Sequence, residues 1–168
     1  MTDVPQTDHA ATTTPSTGLA AKVLTVSDGV VAGTREDRSG VALVERLSVA
    51  GFDVVEHRVV IDGLQSVGET IVELAEGFTG VLVTTGGTGF GPRDQTPEGT
   101  RMVLDREAPG LAEAMRAVNP LGRLSRAVAG TRGTTLIINV PGSPGGAVEC
   151  LEAVLDVLPH AVRLLAGD

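Results

Sequence analysis

Apolar runs and amphipathic segments alternate along the chain from about residue 20. Four runs rich in Val, Ile, Leu and Thr predict buried strands at 21–27, 52–60, 81–85 and 135–140. Apolar positions at helical spacing predict helices over 41–49, 64–78, 110–118 and 143–165, with a further helix beginning at 96. Segment 125–131 fits a short strand or a hairpin. Strands that alternate with helices predict the α/β fold class, with a mainly parallel sheet between helical layers.

The length of 168 residues is suited to one domain with a sizeable core. We assign residues 19–168 to this domain. Residues 1–18 contain too little apolar surface to offset the entropy of ordering, so they are predicted to be a disordered tail. They lack the basic start and apolar centre of a secretory signal.

Composition excludes several classes of function. The chain has three aromatic residues, all Phe, and a formal charge of −8, which together argue against nucleic-acid binding. The one cysteine excludes a disulfide framework and a Cys-rich zinc site, and it indicates the reducing cytoplasm. The chain contains no apolar run of about 18 residues, so no membrane span is predicted.

Two glycine-containing loops share a construction that favours anion binding. Segment 86–89 follows the third strand and leads to a helix that opens Thr96-Pro97; segment 141–143 follows the last strand and leads to Ser143-Pro144. Thr and Ser are good N-caps, Pro suits the first helical position, and free N–H groups at a helix start attract phosphate. Plain turns are the alternative interpretation of such glycines.

Other nucleotide and catalytic motifs are not met. The chain has one lysine, Lys22, and therefore no P-loop lysine, and Pro92 stands where a dinucleotide fingerprint needs its third Gly. Pro141 breaks an esterase elbow around Ser143. The histidines His57 and His160 have no partner at metal-ligand spacing.

Several acidic side chains are candidates for the same sheet edge. Arg93 and Asp94 share the first glycine loop, where Arg suits phosphate and Asp suits Mg²⁺. Asp62 ends the second strand, and Asp28 and Asp37 lie in the first loop, Asp37 also as a possible helix cap. An ordinary loop position is the alternative for each. Cys150, among apolar residues of the last helix, is predicted to be a small core residue.

Two consecutive motifs resemble the signature of the MogA/MoaB family of molybdenum cofactor biosynthesis: Thr-Thr-Gly-Gly-Thr-Gly at 84–89 and Pro-Arg-Asp-Gln-Thr-Pro-Glu at 92–98. Segments 25–28, 37–40, 125–126 and 139–144 fit the same family in the same order. The resemblance covers about 22–165. Gln95 and Gly99 depart from the usual Val or Ile and the usual Ala.

The resemblance implies a three-layer α/β/α sandwich that forms a homotrimer and binds molybdopterin. It implies transfer of AMP from Mg-ATP to the terminal phosphate of molybdopterin, with contact to a molybdenum-insertion enzyme. Asp94, with Asp62, matches the family's functional acids and would hold Mg²⁺. The residues expected to bind molybdopterin or nucleotide are Ser27, Asp28, Gly86, Gly87, Thr88, Gly89, Arg93, Thr96, Ser125, Arg126, Pro141, Gly142 and Ser143.

Three alternatives remain at this stage. The protein could bind the pterin in the same pathway without its own adenylyltransferase activity. A pterin dehydratase would favour clustered His, which the isolated His57 and His160 do not provide. A scaffold protein would need partner-binding segments, and the short tail is the only spare one.

Overall fold

A computed structural model describes residues 18–168, so the predicted tail lies, except for Gly18, outside the described residues. Within them the elements are β1 (Ala20–Val26), α1 (Asp28–Val31), α2 (Arg38–Val49), β2 (Asp53–Val60), α3 (Leu64–Ala75), β3 (Gly80–Thr85), α4 (Thr96–Val103), β4 (Arg106–Glu107), α5 (Pro109–Ala117), a 3-10 helix (Pro120–Leu124), β5 (Ala129–Arg132), β6 (Thr135–Val140), α6 (Pro144–Val154) and α7 (Leu158–Ala166).

The strands form one six-stranded sheet in the order β2-β1-β3-β6-β5-β4. Strands β2, β1, β3 and β6 are parallel, whereas β5 runs antiparallel to β6 and β4 antiparallel to β5. The predicted mainly parallel sheet is therefore confirmed. Strands β3 and β6 lie in the interior of the sheet and are buried along their whole length, which is why they have no polar alternation.

Helices cover both faces of the sheet and create two apolar cores. On one face α2, α5, α6 and α7 bury Leu43, Met115, Leu151 and Val162 against the strands. On the other face Val67, Ile71 and Leu74 of α3 pack on Leu24, Leu82 and Ile137. Full burial of each such side chain contributes about 1.5–3 kcal/mol. The three-layer α/β/α architecture is confirmed.

The predicted helix over 143–165 is wrong in one respect, because it is two helices. Helix α6 ends at Val154 and α7 begins at Leu158. Pro159 has no N–H to donate to the carbonyl of Leu155, and its ring would clash there in a continuous helix. Helix α3 likewise ends at Ala75 rather than 78, shortly before Gly77 with a positive φ of 62°.

Three short elements escape the sequence pattern. Helix α1 has 4 residues, the 3-10 helix has 5 and β4 has 2, so none is long enough to show a period. Segment 125–131 contains the start of the short strand β5, which pairs with β6 as a hairpin. No helix within 18–168 is both long enough and apolar enough to cross a membrane.

Candidate functional site

The four parallel strands end at one edge of the sheet, and each delivers a polar loop there. Ser27 follows β1, Asp62 follows β2, Gly86 follows β3 and Pro141 follows β6. Backbone hydrogen bonds join the loops: Ser27 N donates to Val60 O at 2.9 Å, and Gly86 N donates to Val140 O at 3.2 Å. The edge is thus a continuous surface, in the position where open α/β sheets bind ligands.

Two clefts, each of about 550 Å³, open on this edge. One lies between the two glycine loops and the segment from α5 to Ser125, and it includes the apolar side chains of Met115, Leu121 and Leu124. We call it the apolar-walled cleft. The other lies against the loop that precedes α2 and includes Arg35 and Arg38. We call it the arginine-rimmed cleft.

The two clefts meet. Both are lined by Gly87, Asp94, Gly142 and Ser143, which come from the two glycine loops predicted to bind anions. A group held in one cleft therefore lies beside a group held in the other. Asp94 stands at the junction.

The structure brings most of the predicted site residues to these clefts and leaves four aside. The cleft walls contain Ser27, Asp62, Gly86, Gly87, Thr88, Gly89, Asp94, Ser125, Pro141, Gly142 and Ser143. Four predicted residues lie outside both walls: Asp28, Arg93, Thr96 and Arg126. Each of these four contacts the loops that form the clefts.

Gly86 and Gly87 are required by the turn that follows β3. Both have positive φ, 99° and 67°. A Cβ on Gly86 would lie 2.3 Å from the carbonyl oxygen of Val26, and one on Gly87 would lie 2.3 Å from Thr96 Oγ1 and 3.1 Å from Asp62 Oδ1. Only glycine permits this conformation and this close approach. The loop thereby crosses directly over the ends of β1 and α4.

Asp28 and Asp62 are tied to each other through their backbones. Asp28 N donates to Asp62 Oδ2 at 2.9 Å, and Asp62 N donates to Asp28 Oδ1 at 3.1 Å. Arg93 completes the arrangement with two donors on the Asp28 carboxylate, at 2.7 and 3.0 Å, and one on the Asp62 carbonyl oxygen at 2.7 Å. Arg93 thereby connects the first glycine loop to the ends of β1 and β2.

The pKa values of the two acids are shifted in opposite directions. The hydrogen bond from Arg93 holds the pKa of Asp28 below its usual range. Burial raises the pKa of Asp62, and the charges of Asp28 and Asp94 add to this effect, although the Asp28 N–H opposes it. Ionisation is therefore less favourable for Asp62 than for Asp28, and a bound cation would stabilise the ionised carboxylate of Asp62.

Asp94 is held by the turn that contains it. Its Oδ2 accepts from Gly91 N at 2.9 Å, and its carbonyl oxygen accepts from Arg126 Nη2 at 2.6 Å. The carboxylate keeps accepting capacity toward the junction of the clefts. Asp62 and Asp94 both line the arginine-rimmed cleft. Among residues 18–168 no group of three His, Cys, Asp or Glu side chains could hold a metal by itself.

Arg126 positions the loop rather than pointing into a cleft. Its Nε donates to Gly89 O at 2.8 Å, its Nη2 to Asp94 O and its Nη1 to Glu98. Its backbone N donates to Thr88 O at 2.9 Å. Burial of Glu98 acts to raise the pKa of its carboxyl. The hydrogen bond from Arg126 acts against burial, and the pKa of Glu98 lies below its usual range.

Removal of the Arg126 side chain should loosen the loop that carries Asp94. We expect Arg126→Ala to destabilise the fold by about 2 kcal/mol, because three acceptors lose a charged donor, and to increase amide exchange of segment 88–95. Arg101→Ala, which removes an exposed pair with Glu107, is the control and should change stability by less than about 0.5 kcal/mol. Urea unfolding and hydrogen exchange measure both effects, and equal stability of the two variants would contradict this role of Arg126.

The predicted helix caps are only partly correct. Thr96 is the first residue of α4 and not its N-cap, which is Gln95. The Thr96 side chain is fully buried, and its Oγ1 has no hydrogen-bond partner in the part of the chain that the structure describes. Thr96 Oγ1 occupies the space that a Cβ on Gly87 would need. The backbone N of Thr96 also donates to Gly87 O at 3.1 Å, which holds the two residues together. Ser143 does occupy the N-cap position of α6, without a side-chain hydrogen bond to the helix.

The sequence interpretation missed part of both walls. Arg35 lies between α1 and α2, and Arg38 is the first residue of α2. Their signal in the sequence was that this polar segment follows the carboxyl end of β1. Leu121 and Leu124 belong to the short 3-10 helix, for which no periodic signal exists. Asp37 caps α2 as predicted, since its Oδ1 accepts from Gly40 N at 3.0 Å, and Cys150 is a buried core residue.

The sheet with its two joined clefts defines an α/β ligand-binding domain. Residues 22–160 match the family model described as a probable molybdopterin binding domain. The chain belongs to this family, and within it to the MogA/MoaB proteins of molybdenum cofactor biosynthesis.

Three relatives align with this chain over most of its length. The molybdopterin adenylyltransferase of Helicobacter pylori (strain J99) is 39% identical over 153 residues, 87% of each chain. The Escherichia coli (strain K12) molybdopterin adenylyltransferase is 36% identical, over 89% of this chain and 86% of its own. The crystal structure of the molybdopterin biosynthesis enzyme MoaB from Thermus thermophilus superimposes with a TM-score of 0.84 at 48% identity, covering 89% of this chain and 98% of that one.

Proposed function

We propose that the protein transfers AMP from ATP to the terminal phosphate of molybdopterin. The observation that carries the proposal is the meeting of two similar-sized clefts at Gly87, Asp94, Gly142 and Ser143. A transfer between two phosphate-bearing substrates needs two adjacent sites whose reacting ends touch. The names of the Helicobacter pylori and Escherichia coli relatives support the same reaction.

The chemistry makes few demands on acid or base groups. A terminal phosphate oxygen of molybdopterin attacks the α-phosphorus of ATP, and the bond from that phosphorus to the oxygen bridging to the β-phosphorus breaks. Pyrophosphate leaves with the bond electrons, and adenylyl-molybdopterin remains. Because the attacking oxygen is already ionised near neutral pH, the protein contributes mainly position and charge stabilisation. The described clefts accordingly contain carboxylates, arginines and backbone N–H groups, and no histidine.

Each glycine loop would receive one phosphate group at the junction. The first loop offers Gly87, Thr88 and Gly89, and the second offers Gly142 and Ser143 at the start of α6. Ser125 adds a hydroxyl in the apolar-walled cleft, and Ser27 adds one in the arginine-rimmed cleft. Asp28, Arg93 and Arg126 would act on the loops, since their polar atoms contact loop atoms.

The donor set of Asp62 and Asp94 suits Mg²⁺. Both are hard oxygen ligands in one cleft, and burial already penalises the charge on Asp62. Mg²⁺ commonly binds to one or two carboxylates together with substrate phosphates, which agrees with the lack of a three-ligand protein cluster in 18–168. The ion would supply charge neutralisation at the phosphates, while Asp62 and Asp94 orient it toward the junction.

A direct assay tests the proposal. Purified protein with ATP, Mg²⁺ and molybdopterin should release one pyrophosphate for each adenylyl-molybdopterin formed, and omission of the pterin or chelation of Mg²⁺ should stop the release. Binding of both substrates without pyrophosphate release would instead support a pterin-binding protein without its own transfer activity. The same preparation shows by light scattering whether the protein is the homotrimer that the family resemblance implies.

The raised pKa of Asp62 predicts a pH dependence of Mg²⁺ binding. Only the ionised carboxylate binds the ion, and Asp62 becomes protonated at higher pH than an ordinary Asp with its pKa of about 3.9. The Mg²⁺ concentration for half-maximal rate should therefore rise as the pH falls, beginning above the usual Asp range. Asp62→Asn should bind Mg²⁺ more weakly and lose this component of the pH dependence. An unchanged profile in that variant would remove Asp62 from the metal site.

A further inference from the structure

His57 lies on β2 outside both clefts, yet it contacts a residue of the cleft wall. Its Nε2 is 2.8 Å from Asp37 Oδ2. Thr25 Oγ1, at the end of β1, donates to the same carboxylate oxygen at 2.8 Å. The parallel pairing of β1 with β2 brings Thr25 close to His57, because the register partner of His57 is Val23, two residues before Thr25 on the same strand.

The Asp37 carboxylate is thereby held from three elements. Besides Thr25 and His57, Gly40 N of α2 donates to its other oxygen, Oδ1. The arrangement is tight: a Cβ on Gly40 would lie 2.5 Å from both Asp37 Oδ2 and His57 Nε2. Because an ionised carboxylate only accepts, His57 Nε2 carries a proton and donates it.

The trio of Thr25, Asp37 and His57 is not a nucleophile with its base. The Thr25 side chain is 3% exposed, and its hydroxyl donates to Asp37 rather than to His57. The cluster instead sets the position of the chain on either side of Asp37.

That chain segment forms the rim of the arginine-rimmed cleft. Arg35, Glu36, Arg38 and Ser39 all line it. Ser39 Oγ lies 3.0 Å from Thr85 Oγ1 at the end of β3, which connects the start of α2 to the first glycine loop. Neither Arg35 nor Arg38 forms an ion pair with another residue of the described chain, so both guanidinium groups are available to a polyanion.

We propose that His57 is a positioning residue for a polyanionic substrate in the arginine-rimmed cleft, and that it acts through Asp37 on Arg35 and Arg38. The ligand class follows from the two unpaired arginines at the rim, and a nucleoside triphosphate with Mg²⁺ belongs to it. The choice of ATP as the probe rests on the proposed function. His57 touches neither substrate nor metal.

Two other charged side chains lie near His57. Glu45 of α2 and Glu56 of β2 line the same outer groove, and Glu56 is paired with Lys22 and Arg58. The link from His57 to the cleft wall is therefore its contact with Asp37.

The test compares His57→Leu and His57→Gln with the parent protein and with His160→Leu as control. His160 is an exposed residue of α7, remote from the cleft walls. Calorimetry gives the Kd for Mg-ATP, and amide exchange reports on segment 32–40. We expect His57→Leu to weaken binding about tenfold, the scale of a lost hydrogen bond to a charged group. His57→Gln, which keeps an N–H donor, should recover most of the affinity.

The rescue by His57→Gln separates positioning from simple stability. Amide exchange of segment 32–40 should rise in His57→Leu and return toward the parent level in His57→Gln. Equal Kd values in the parent and in His57→Leu, or a Kd of His57→Gln as weak as that of His57→Leu, would overturn the inference. Absence of Mg-ATP binding to the parent overturns it together with the proposed function. Binding with the predicted variant effects but no AMP transfer overturns the proposed function alone.

Discussion

Asp94→Ala should lower the rate of AMP transfer by roughly a hundred- to a thousandfold, the loss typical of removing one group that stabilises transition-state charge. Asp94 is the single ionisable side chain that lines both clefts in the described residues, so under the proposed reaction it would lie where the new bond forms. The fold should persist, because Arg126 binds the carbonyl oxygen of residue 94 and not its side chain. Pyrophosphate release and circular dichroism measure the two effects.

A matched control is Asp156→Ala, an exposed acid between α6 and α7. It removes the same charge from the chain without touching either cleft. Its turnover should equal that of the parent. Asp94→Asn adds a second comparison, since an amide oxygen can still accept from Gly91 N and keep the turn. Normal turnover in both Asp94 variants would exclude Asp94 from the mechanism.

Gly86→Ala should destabilise the fold strongly and distort the site. The residue has φ of 99°, and the added Cβ would lie 2.3 Å from the carbonyl oxygen of Val26, a backbone atom that cannot move aside alone. Strain of this kind costs about 1–3 kcal/mol, and the clash adds to it. We expect loss of about 3 kcal/mol in the free energy of unfolding and loss of transfer activity as the first glycine loop shifts.

Gly110→Ala provides the opposite expectation. Gly110 lies in the exposed first turn of α5, and a Cβ there would meet nothing within 4 Å. Alanine should therefore stabilise the protein by up to about 1 kcal/mol through helix propensity. Urea unfolding of both variants gives the comparison. Similar stability of Gly86→Ala and the parent would show that the turn after β3 can relax.

The fold could be predicted well from the sequence because its main elements have regular periods. The strands at 80–85 and 135–140 are rich in β-branched residues, and α2 and α3 have apolar residues at helical spacing. Short elements such as the 3-10 helix depend on tertiary contacts rather than on a period. The break between α6 and α7 had a local signal, Pro159, which the apolar pattern around it obscured.

Within the site, sequence reasoning located backbone features better than side-chain directions. The glycines and the carboxyl-end position of the loops predict where ligands approach. Whether an arginine points into the cleft depends on distant partners: Arg126 meets Gly89 and Asp94 across more than 30 positions of sequence. The contact of His57 with Asp37 likewise joins β2 to the start of α2, far apart in the sequence, so no spacing rule could have found it.

The shared floor of the two clefts has a consequence for the end of the reaction. Under the proposed reaction the linked product would span both clefts, so its two halves would bind as one divalent molecule and each would raise the effective concentration of the other. Such a product would bind more tightly than either substrate alone, and its release would have to open both contacts at once. We therefore expect slow dissociation of the adenylylated pterin, rather than bond formation, to limit turnover.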